Sequence, residues 1–401
     1  MRRRKPTIVI APDSFKGTLS AVDIAAAMAD GVRSVLGPDV RVVQRPLADG
    51  GEGTLATLLS CHDAVLHTVD VHDAIGRPRT ARYGITGDSS VAIIEAAEAN
   101  GLPHLADVVP APMRADTFGV GEIARSALDD GVEEILLCIG GSASTDGGTG
   151  LLRALGVRFL DKRGKDVRPG GAGLSQIVSV DASAMDARAR TVRWRVACDV
   201  DNPLTGGCGA ARVFGPQKGA SPKEIDRLDA GLAHLSRVLA VETGTDVSAI
   251  PGAGAAGGLP ACLLAMLNAQ LLAGIDVVAD VIGLADALAE ADLIITGEGS
   301  FDSQSLRGKV VHGVVRRAPA HCAVVVVAGT VKLSAVETLA AGLAGAFSIA
   351  HGPAELAQMC GDTESLVRDT AANIAGLVAH SGGWARQRAD PRAPLSFANS
   401  H

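Results

Sequence analysis

The sequence predicts a mixed α/β protein built mainly on parallel sheets. Short Val- and Ile-rich runs alternate with longer Ala- and Leu-rich segments of helical period, which is the βα pattern of a parallel sheet. Aromatic residues make up only 2% of a chain that is 47% hydrophobic, so small aliphatic side chains must fill the core. At 401 residues the chain exceeds the usual size of one hydrophobic core, which favours two domains.

The predicted strands are apolar runs that end in polar or glycine-rich segments. They cover residues 7–13, 40–49, 91–97, 133–141, 193–199, 292–299 and 323–329. The first two runs flank a predicted helix over residues 20–36, where Ser20 is the N-cap and Asp23 completes a capping box. Residues 142–220 are rich in glycine and turn residues, which indicates short elements. Residues 386–401 are polar without periodicity and are predicted to be disordered.

Composition and charge exclude several classes of function. Lys and Arg number 37 against 44 Asp and Glu, a formal net charge of −7, whereas a nucleic-acid partner would require clustered positive charge. The cysteines are scattered without a C-x-x-C pair, so no structural zinc site is expected. The first apolar run is too short for a signal peptide, and no run approaches about 18 apolar residues. We therefore predict a cytoplasmic protein with no membrane partner, and a homodimer is left open.

Polar residues follow most of the predicted strands at the point where each strand ends. In open α/β sheets, ligands bind beyond the carboxyl ends of the strands. The residues in such positions are Asp13, Asp49, Glu95, Gly140, Gly141, Ser142, Asp199 and Glu298. Taken singly, each is equally well explained as a turn or helix-cap residue. So many at equivalent positions favour a binding site.

The segment APDSFKG joins the first predicted strand to the first helix. It places Asp13, Ser14 and Lys16 in a loop at the entrance of a helix. Backbone N–H groups, the helix dipole and a lysine ammonium all suit a phosphate or a carboxylate. A solvated lysine in an ordinary turn is the alternative.

The segment PLADGGEGT follows the second predicted strand. It combines two carboxylates, Asp49 and Glu52, with Gly50 and Gly51. Glycines let the backbone approach a ligand closely, and a carboxylate can hold Mg²⁺ or accept a hydroxyl proton. A tight acidic turn is the alternative.

The segment CIGGSASTDGGTG lies between a predicted strand and a helix. Gly140, Gly141 and Ser142, with Asp146 further on, favour a nest of backbone amides and hydroxyl groups. Such a nest suits the oxygens of a phosphate or a carboxylate.

Two further segments supply oxygen ligands. ACDVDNPLTG places Asp199, Asp201 and Asn202 after a strand, and ITGEGSFDSQS places Glu298 and Asp302 after another. Phosphoryl transfer requires positioning and neutralisation of charge more than covalent chemistry, so carboxylates, Mg²⁺ and a lysine are the expected parts. These residues are therefore candidates for a phosphoryl-transfer site.

Two well-known nucleotide motifs are not convincing here. A G-x-G-x-x-G pattern at Gly252, Gly254 and Gly257 lacks the preceding strand that a dinucleotide fold requires. An NAD(P)-dependent hydroxy-acid oxidoreductase is therefore an alternative with little support. The dipeptide Gly308-Lys309 does not lie in a Walker A sequence, which excludes a P-loop kinase.

A series of motifs occurs in one order along the chain: APDSFKG, PLADGGEGT, GGSASTDGG, ACDVDNPLTG, FGPQKGAS, PGAGAAGG and ITGEG. Over about residues 7–382 this series resembles the glycerate kinase family. The resemblance implies a kinase that transfers a phosphoryl group from ATP to D-glycerate with Mg²⁺, at the 2-hydroxyl group for the bacterial branch. It also implies a flavodoxin-like or Rossmann-like domain formed by residues 1–66 and 288–385, and a second α/β domain, residues 67–287, inserted in it.

With this resemblance, roles are assigned as hypotheses. The catalytic candidates are Asp49, Lys16 and Asp302, and one of the two aspartates accepts the proton of the substrate hydroxyl. The candidates for binding Mg²⁺ are Asp199, Asp201 and Glu298. The candidates for binding substrate or phosphate are Asp13, Ser14, Gly50, Gly51, Glu52, Gly140, Gly141, Ser142, Asp146 and Asn202.

Two positions depart from the family pattern. The family usually carries Asn where this chain has Thr145, and Arg where it has Ser300. An arginine offers a planar fork for carboxylate or phosphate that a lysine does not reproduce. A non-catalytic regulator that binds an organic acid is therefore the second alternative to a kinase.

Overall fold

The computed structural model describes residues 5–51, 53–61, 64–306, 308–353 and 355–380. The tail predicted to be disordered, residues 386–401, lies outside this part of the chain. The chain forms two compact units, with boundaries between Leu47 and Ala48 and between Ile282 and Gly283. The first unit therefore combines segments that precede and follow the second.

The strands and helices are numbered in chain order. The strands are β1 (Thr7–Pro12), β2 (Arg41–Gln44), β3 (Val65–His72), β4 (Pro78–Ile85), β5 (Val91–Glu95), β6 (Glu134–Cys138), β7 (Arg158–Leu160), β8 (Ser179–Asp181), β9 (Arg193–Ala197), β10 (Gln270–Leu272), β11 (Leu293–Phe301), β12 (Ala323–Val331) and β13 (Gly345–Ser348). The α-helices are α1 (Ala21–Leu36), α2 (Thr54–Cys61), α3 (Ala97–Asn100), α4 (Phe118–Asp129), α5 (Thr149–Ala154), α6 (Ala187–Thr191), α7 (Ala210–Phe214), α8 (Pro222–Thr243), α9 (Ala255–Leu267), α10 (Gly274–Val281), α11 (Leu284–Ala289), α12 (Val310–Arg317), α13 (Ala335–Ala340), α14 (Leu356–Gly361) and α15 (Thr363–His380). Short 3₁₀ helices cover Leu102–Leu105, Gly171–Gln176 and Pro216–Lys218.

The first unit contains a parallel sheet of five strands in the order β2-β1-β11-β12-β13. Numbered within the unit, this order is 2-1-3-4-5, which is the flavodoxin-like arrangement. The predicted fold class is confirmed. In this arrangement the strand order reverses between β1 and β11, and ligands bind beyond the carboxyl ends of the strands at that point.

Helix α1 begins as the capping pattern predicts. Ser20 Oγ accepts a hydrogen bond of 3.2 Å from the backbone N–H of Asp23 and donates one of 2.7 Å to the Asp23 carboxylate. The apolar face of the helix is buried against the sheet and α15, and the core of the unit includes Ile8, Ile10, Ile24, Met28, Val32, Ile295, Val327, Val367 and Ile374. A methyl group at Gly31 would lie 2.1 Å from Arg368 O, so only glycine allows α15 to pack this closely.

The second unit contains a mixed sheet of six strands in the order β10-β9-β6-β5-β4-β3. Strands β5, β6, β9 and β10 run parallel, and β4 and β3 add antiparallel to one edge. The core of this unit includes Tyr83, Ile94, Leu137, Leu151, Phe159, Trp194, Leu228 and Leu259. The carboxyl ends of the four parallel strands thus share one edge of the sheet, as in the first unit.

Helices of the described part of the chain lack the combination of length and apolar character needed to cross a bilayer.

Candidate functional site

In the first unit, candidate residues lie at the reversal of strand order between β1 and β11. Asp13 follows β1 and is 8% exposed, and its backbone N–H donates a 2.8 Å hydrogen bond to Gly297 O of β11. Ser14 N–H donates a 2.7 Å hydrogen bond to Asp13 Oδ1. The carboxylate of Asp13 is therefore held at the position where this fold binds ligands.

Lys16 lies on a closed turn between β1 and α1. Phe15 N–H donates to Leu19 O over 3.0 Å, Leu19 N–H donates to Phe15 O over 3.2 Å, and the Phe15 side chain is buried. The Lys16 side chain is exposed. A methyl group at Gly299 would lie 3.7 Å from Lys16 N, so the turn passes beside the end of β11.

The end of β11 carries the other candidates of the first unit. Glu298 is 7% exposed and belongs to the strand itself. Asp302 Oδ1 accepts a 3.0 Å hydrogen bond from the Gln304 N–H, and Lys332 Nζ lies 3.3 Å from Asp302 Oδ2. The hydrogen bond from Gln304, with Lys332 beside it, lowers the pKa of Asp302. A carboxylate with a lowered pKa is a weaker proton acceptor.

In the second unit, the backbone packs tightly around Gly50. Gly50 has a φ of +81°, and a Cβ there would lie 2.7 Å from the Cβ of Ala197 and 3.1 Å from Gly274 Cα. Gly274 N–H in turn donates a 2.7 Å hydrogen bond to Asp199 Oδ1, and a Cβ at Gly274 would lie 2.1 Å from Asp49 O. The segments that carry Asp49 and Asp199 therefore adjoin each other beyond the ends of β9 and β10.

Glu95 adds a third carboxylate to this edge of the sheet. It ends β5, is 7% exposed, and accepts a 2.7 Å hydrogen bond at Oε1 from the Leu55 N–H in the first turn of α2. Burial raises the pKa of the Cys138 thiol at the end of β6, and the fields of Glu95, Asp199 and Asp49 raise it further. The negative charges of Glu95, Asp199 and Asp49 thus all raise the pKa of the same buried thiol.

Asp146 closes the 140–146 loop, which follows β6. Its carboxylate is fully buried and accepts hydrogen bonds from the N–H groups of Thr117 (3.0 Å), Gly148 (3.3 Å) and Gly150 (2.9 Å) and from the Thr117 hydroxyl (2.8 Å). Backbone donors near the start of α5 are therefore used by a side chain of the protein. This geometry supports a role for Asp146 in fixing the loop.

Lys218 is a residue of this site that sequence reasoning missed. It ends a short 3₁₀ helix, is 3% exposed, and its Nζ lies 3.0 Å from Ser142 Oγ and 2.5 Å from Ser144 O. Burial lowers the pKa of Lys218 to about 7. In the sequence Lys218 is one lysine among glycine, proline and alanine in FGPQKGAS. This pattern does not distinguish a buried lysine from a solvated one.

Other candidates have local contacts or lie outside the described residues. Asn202 Nδ2 donates a 2.8 Å hydrogen bond to Cys208 O, and Asn202 O accepts one of 2.9 Å from the Gly254 N–H. The side chain of Asp201 is exposed. Glu52, predicted to bind substrate or phosphate, is not among the described residues.

The G-x-G-x-x-G segment does not open a dinucleotide-binding unit. It follows α8 and a turn rather than a strand. Gly257 has a φ of +71°, and a Cβ there would lie 2.0 Å from Ser144 O. Gly257 therefore packs against the 140–146 loop, and Gly254 packs against Pro203. Because α8 and a turn, rather than a strand, precede the segment, the motif gives no support to an oxidoreductase.

The carboxylates at the strand ends are the oxygen ligands available for a metal ion. Within the described ranges, no group of three or more His, Cys, Asp or Glu side chains is placed to hold a metal ion. Mg²⁺ usually takes one or two carboxylates together with substrate phosphates and water, rather than a cage of protein ligands. The oxygen donors present at the strand ends are of the type that Mg²⁺ prefers.

Comparisons of the sequence and of the structure with known proteins identify the family of this chain. The sequence model of the glycerate kinase family matches residues 8–379. A protein from Haemophilus influenzae named Glycerate kinase is 41% identical over 372 residues, which are 92% of this chain and 98% of that protein. One from Escherichia coli named Glycerate 2-kinase is 42% identical over 328 residues, which are 80% of this chain and 85% of that protein. A crystal structure from Salmonella typhimurium LT2, assigned provisionally as glycerate kinase 2, superposes with a TM-score of 0.84 at 42% identity and covers 93% of this chain and 98% of its own. This chain belongs to the glycerate kinase family.

Proposed function

We propose that this protein transfers the γ-phosphoryl group of ATP to the 2-hydroxyl group of D-glycerate, giving 2-phosphoglycerate and ADP. Family membership and relatives named glycerate kinase support a kinase acting on glycerate. The Escherichia coli relative named Glycerate 2-kinase supports the 2-hydroxyl group. The observation that carries the proposal is that acidic residues of the family motifs lie at the carboxyl ends of parallel strands, as for Asp13 after β1 and Asp199 after β9.

The reaction forms one bond and breaks another. The 2-hydroxyl oxygen of glycerate bonds to the γ-phosphorus as the bond from that phosphorus to the bridging oxygen of ADP breaks. The hydroxyl proton passes to a carboxylate. We assign this carboxylate to Asp49, which lies beyond the ends of β9 and β10 beside Gly274.

Asp302 is the weaker candidate for this proton. Its carboxylate accepts hydrogen bonds from the Gln304 N–H and from Lys332, and these lower its pKa. Gln304 lies in the turn after β11 and Lys332 directly follows β12, so we assign Asp302 to holding these two segments together. We assign Lys16, exposed on its turn, to neutralising anionic oxygens.

We propose Asp199 as a ligand of Mg²⁺. Its Oδ1 is oriented by the Gly274 N–H, and it lies at a strand end with exposed surface. When bound, Mg²⁺ neutralises charge on the phosphate oxygens. Glu298 is the corresponding candidate in the first unit.

The test is incubation of the purified protein with D-glycerate, ATP and MgCl₂. ADP release is followed by a coupled assay, and phosphorus NMR distinguishes 2-phosphoglycerate from 3-phosphoglycerate. The matched variants are Asp49→Asn and Asp369→Asn, the latter at an exposed site in α15. We expect 2-phosphoglycerate, a loss of about 10²-fold or more in rate for Asp49→Asn, and an unchanged rate for Asp369→Asn.

Three other outcomes would each contradict a different part of the proposed function. Formation of 3-phosphoglycerate would overturn the assignment to the 2-hydroxyl group while leaving a glycerate kinase. Saturable binding of D-glycerate without ADP release would support the regulator alternative instead. An unchanged rate for Asp49→Asn would remove Asp49 from the reaction.

A further inference from the structure

A buried polar cluster of the second unit joins residues of the 140–146 loop to two residues that pack against it. Its members, each at most 7% exposed, are Asn100, Ser142, Ser144, Thr145 and Lys218. Only Ser142 among its members is a candidate site residue of the sequence analysis. Burying polar groups is costly unless they form hydrogen bonds. Within the described part of the chain, Asn100 Oδ1 and Thr145 Oγ1 are buried without such a partner. The cluster therefore contains polar atoms whose burial is not explained by hydrogen bonds within the protein.

Lys218 and Asn100 both bind the backbone and hydroxyl groups of the loop. Lys218 Nζ contacts Ser142 Oγ at 3.0 Å and Ser144 O at 2.5 Å. Asn100 Nδ2 donates a 2.8 Å hydrogen bond to Ser144 Oγ, and Asn100 O accepts one of 2.8 Å from the Ala143 N–H. The shape of the loop at Ser142 is thus set by residues distant in the sequence.

The contact between Lys218 and Ser142 fixes the direction of one hydrogen atom. A lysine ammonium has three donors and no acceptor, so in this contact Ser142 Oγ must accept. The hydroxyl hydrogen of Ser142 then points away from Lys218. A neutral amine differs because its nitrogen can accept a hydrogen bond, so the Ser142 hydrogen can turn back toward Nζ.

The surroundings keep both forms of Lys218 accessible near neutral pH. Burial lowers the pKa of Lys218 to about 7, and the field of Asp146 opposes this effect. Among the described residues, Asp146 is the charged group whose field acts on this ammonium. The protonated form predominates below pH 7 and the neutral form above it.

We propose that Lys218 is a positioning residue which, by donating to Ser142 Oγ, directs the hydroxyl hydrogen of Ser142 to a bound anionic group, a carboxylate or a phosphate. The inference rests on the proposed function only in that an anionic group of the substrates binds at the 140–146 loop, where the sequence places candidate residues. It predicts that the anion binds more weakly as Lys218 loses its proton. Ser142 supplies the contact, and Lys218 acts through it.

The experiment measures anion binding rather than turnover. Isothermal calorimetry at pH 6 and pH 8.5 uses two probes, D-glycerate for a carboxylate and sulfate for a phosphate, because neither probe changes charge in this range. The proteins are the full chain, Ser142→Ala, Lys218→Met and the control Lys223→Met, whose lysine is exposed in α8. Ser142→Ala removes only the hydroxyl group, so it remains informative even when Lys218→Met fails to fold.

The expected result has two parts. Ser142→Ala weakens binding at pH 6 by about tenfold or more, as for loss of a hydrogen bond to a charged group. Binding by the unmodified protein weakens several-fold between pH 6 and pH 8.5, and this dependence disappears in Ser142→Ala and persists in Lys223→Met. Binding of D-glycerate alone identifies a carboxylate site, and binding of sulfate alone identifies a phosphate site.

Two results would overturn the inference. One is a pH dependence that is equal in Ser142→Ala and the unmodified protein, and the other is an unmodified protein that binds neither probe. The proposed function fails separately, since anion binding with the expected pH dependence but no ADP release contradicts only the kinase assignment.

Discussion

The backbone N–H of Gly274 donates a 2.7 Å hydrogen bond to Asp199 Oδ1. Asp199 follows β9 and Gly274 opens α10, so the bond joins two neighbouring strand ends of the second unit. An exposed carboxylate would otherwise sample several rotamers, and this bond orients it. The orientation makes Asp199 suitable as a ligand that is in place before the substrate arrives.

Asp199→Asn is expected to weaken the use of Mg²⁺ with little effect on folding. Asparagine keeps an acceptor for the Gly274 N–H but lacks the negative charge that Mg²⁺ prefers. The Mg²⁺ concentration for half-maximal ADP release should rise about tenfold or more. The free energy of unfolding should change by less than about 1 kcal/mol. A Mg²⁺ dependence equal to that of Asp369→Asn would contradict the assignment.

Gly50→Ala is expected to destabilise the second unit. A Cβ at Gly50 would lie 2.7 Å from Ala197 Cβ, and the φ of +81° strains any other residue. Strain and overpacking together should cost about 1–3 kcal/mol, measured by urea unfolding followed by circular dichroism. Gly376→Ala in α15 is the control, because a Cβ there meets nothing within 4 Å and helical alanine is favoured over glycine. Equal stabilities for the two variants would show that Gly50 is not tightly packed.

Asp116→Asn is expected to stabilise the protein at high pH and not at low pH. Burial, with the neighbouring charge of Asp146, raises the pKa of Asp116 to about 6, well above the value of about 3.9 in an unfolded chain. The folded state therefore binds this proton more tightly, and stability falls as the pH rises from about 4 through 6. Asparagine keeps an acceptor for the Phe118 N–H, now 3.0 Å from Asp116 Oδ1, and carries no charge.

The gain for Asp116→Asn should be about 1–3 kcal/mol at pH 8 and close to zero at pH 4, from urea unfolding at both pH values. Asp369→Asn should show no gain at either pH. A gain for Asp116→Asn of the same size at pH 4 and pH 8 would mean that the effect does not come from ionisation.

The exposed and the buried thiols are expected to differ in reactivity. Cys208 and Cys360 are exposed, whereas Cys138 and Cys262 are fully buried and burial raises the pKa of each thiol. Because the thiolate is the reactive form, iodoacetamide at pH 8 should alkylate Cys208 and Cys360 first. Peptide mass spectrometry of the native protein, with urea-unfolded protein as reference, measures this order. Alkylation of Cys138 as fast as Cys208 would show that the end of β6 opens.

Strands with both faces buried were predictable from the sequence. The runs that became β1, β6 and β12 are almost continuously apolar, and their bounds agree with the prediction within a few residues. The run over 40–49 was predicted too long, because β2 ends at Gln44 and the remaining residues form the approach to Asp49. The antiparallel pair of β3 and β4 was not predicted, because neither strand is a continuous apolar run: β3 is mostly exposed, and β4 is buried mainly toward its end.

The candidate site was predictable only where it follows a strand end. Residues such as Asp13 and Asp199 are marked by the apolar run before them. Lys218 is not, because its burial depends on Ser142 and Ser144, which precede it by 76 and 74 residues. The acceptor role of Asp146 likewise depends on Thr117, far from it in the sequence.

The division of the chain sets an order for folding during synthesis. Strand β1 is central in its sheet and pairs with β11, but β11 begins at Leu293, after the whole of the second unit. Synthesis proceeds from the N-terminus, and domains generally fold as units. The second unit can therefore complete its sheet during synthesis, before β11 is available to pair with β1. In a nascent chain that ends before Leu293, the edge of β1 that pairs with β11 has no partner strand, and an unpaired strand edge is a template for pairing with another chain.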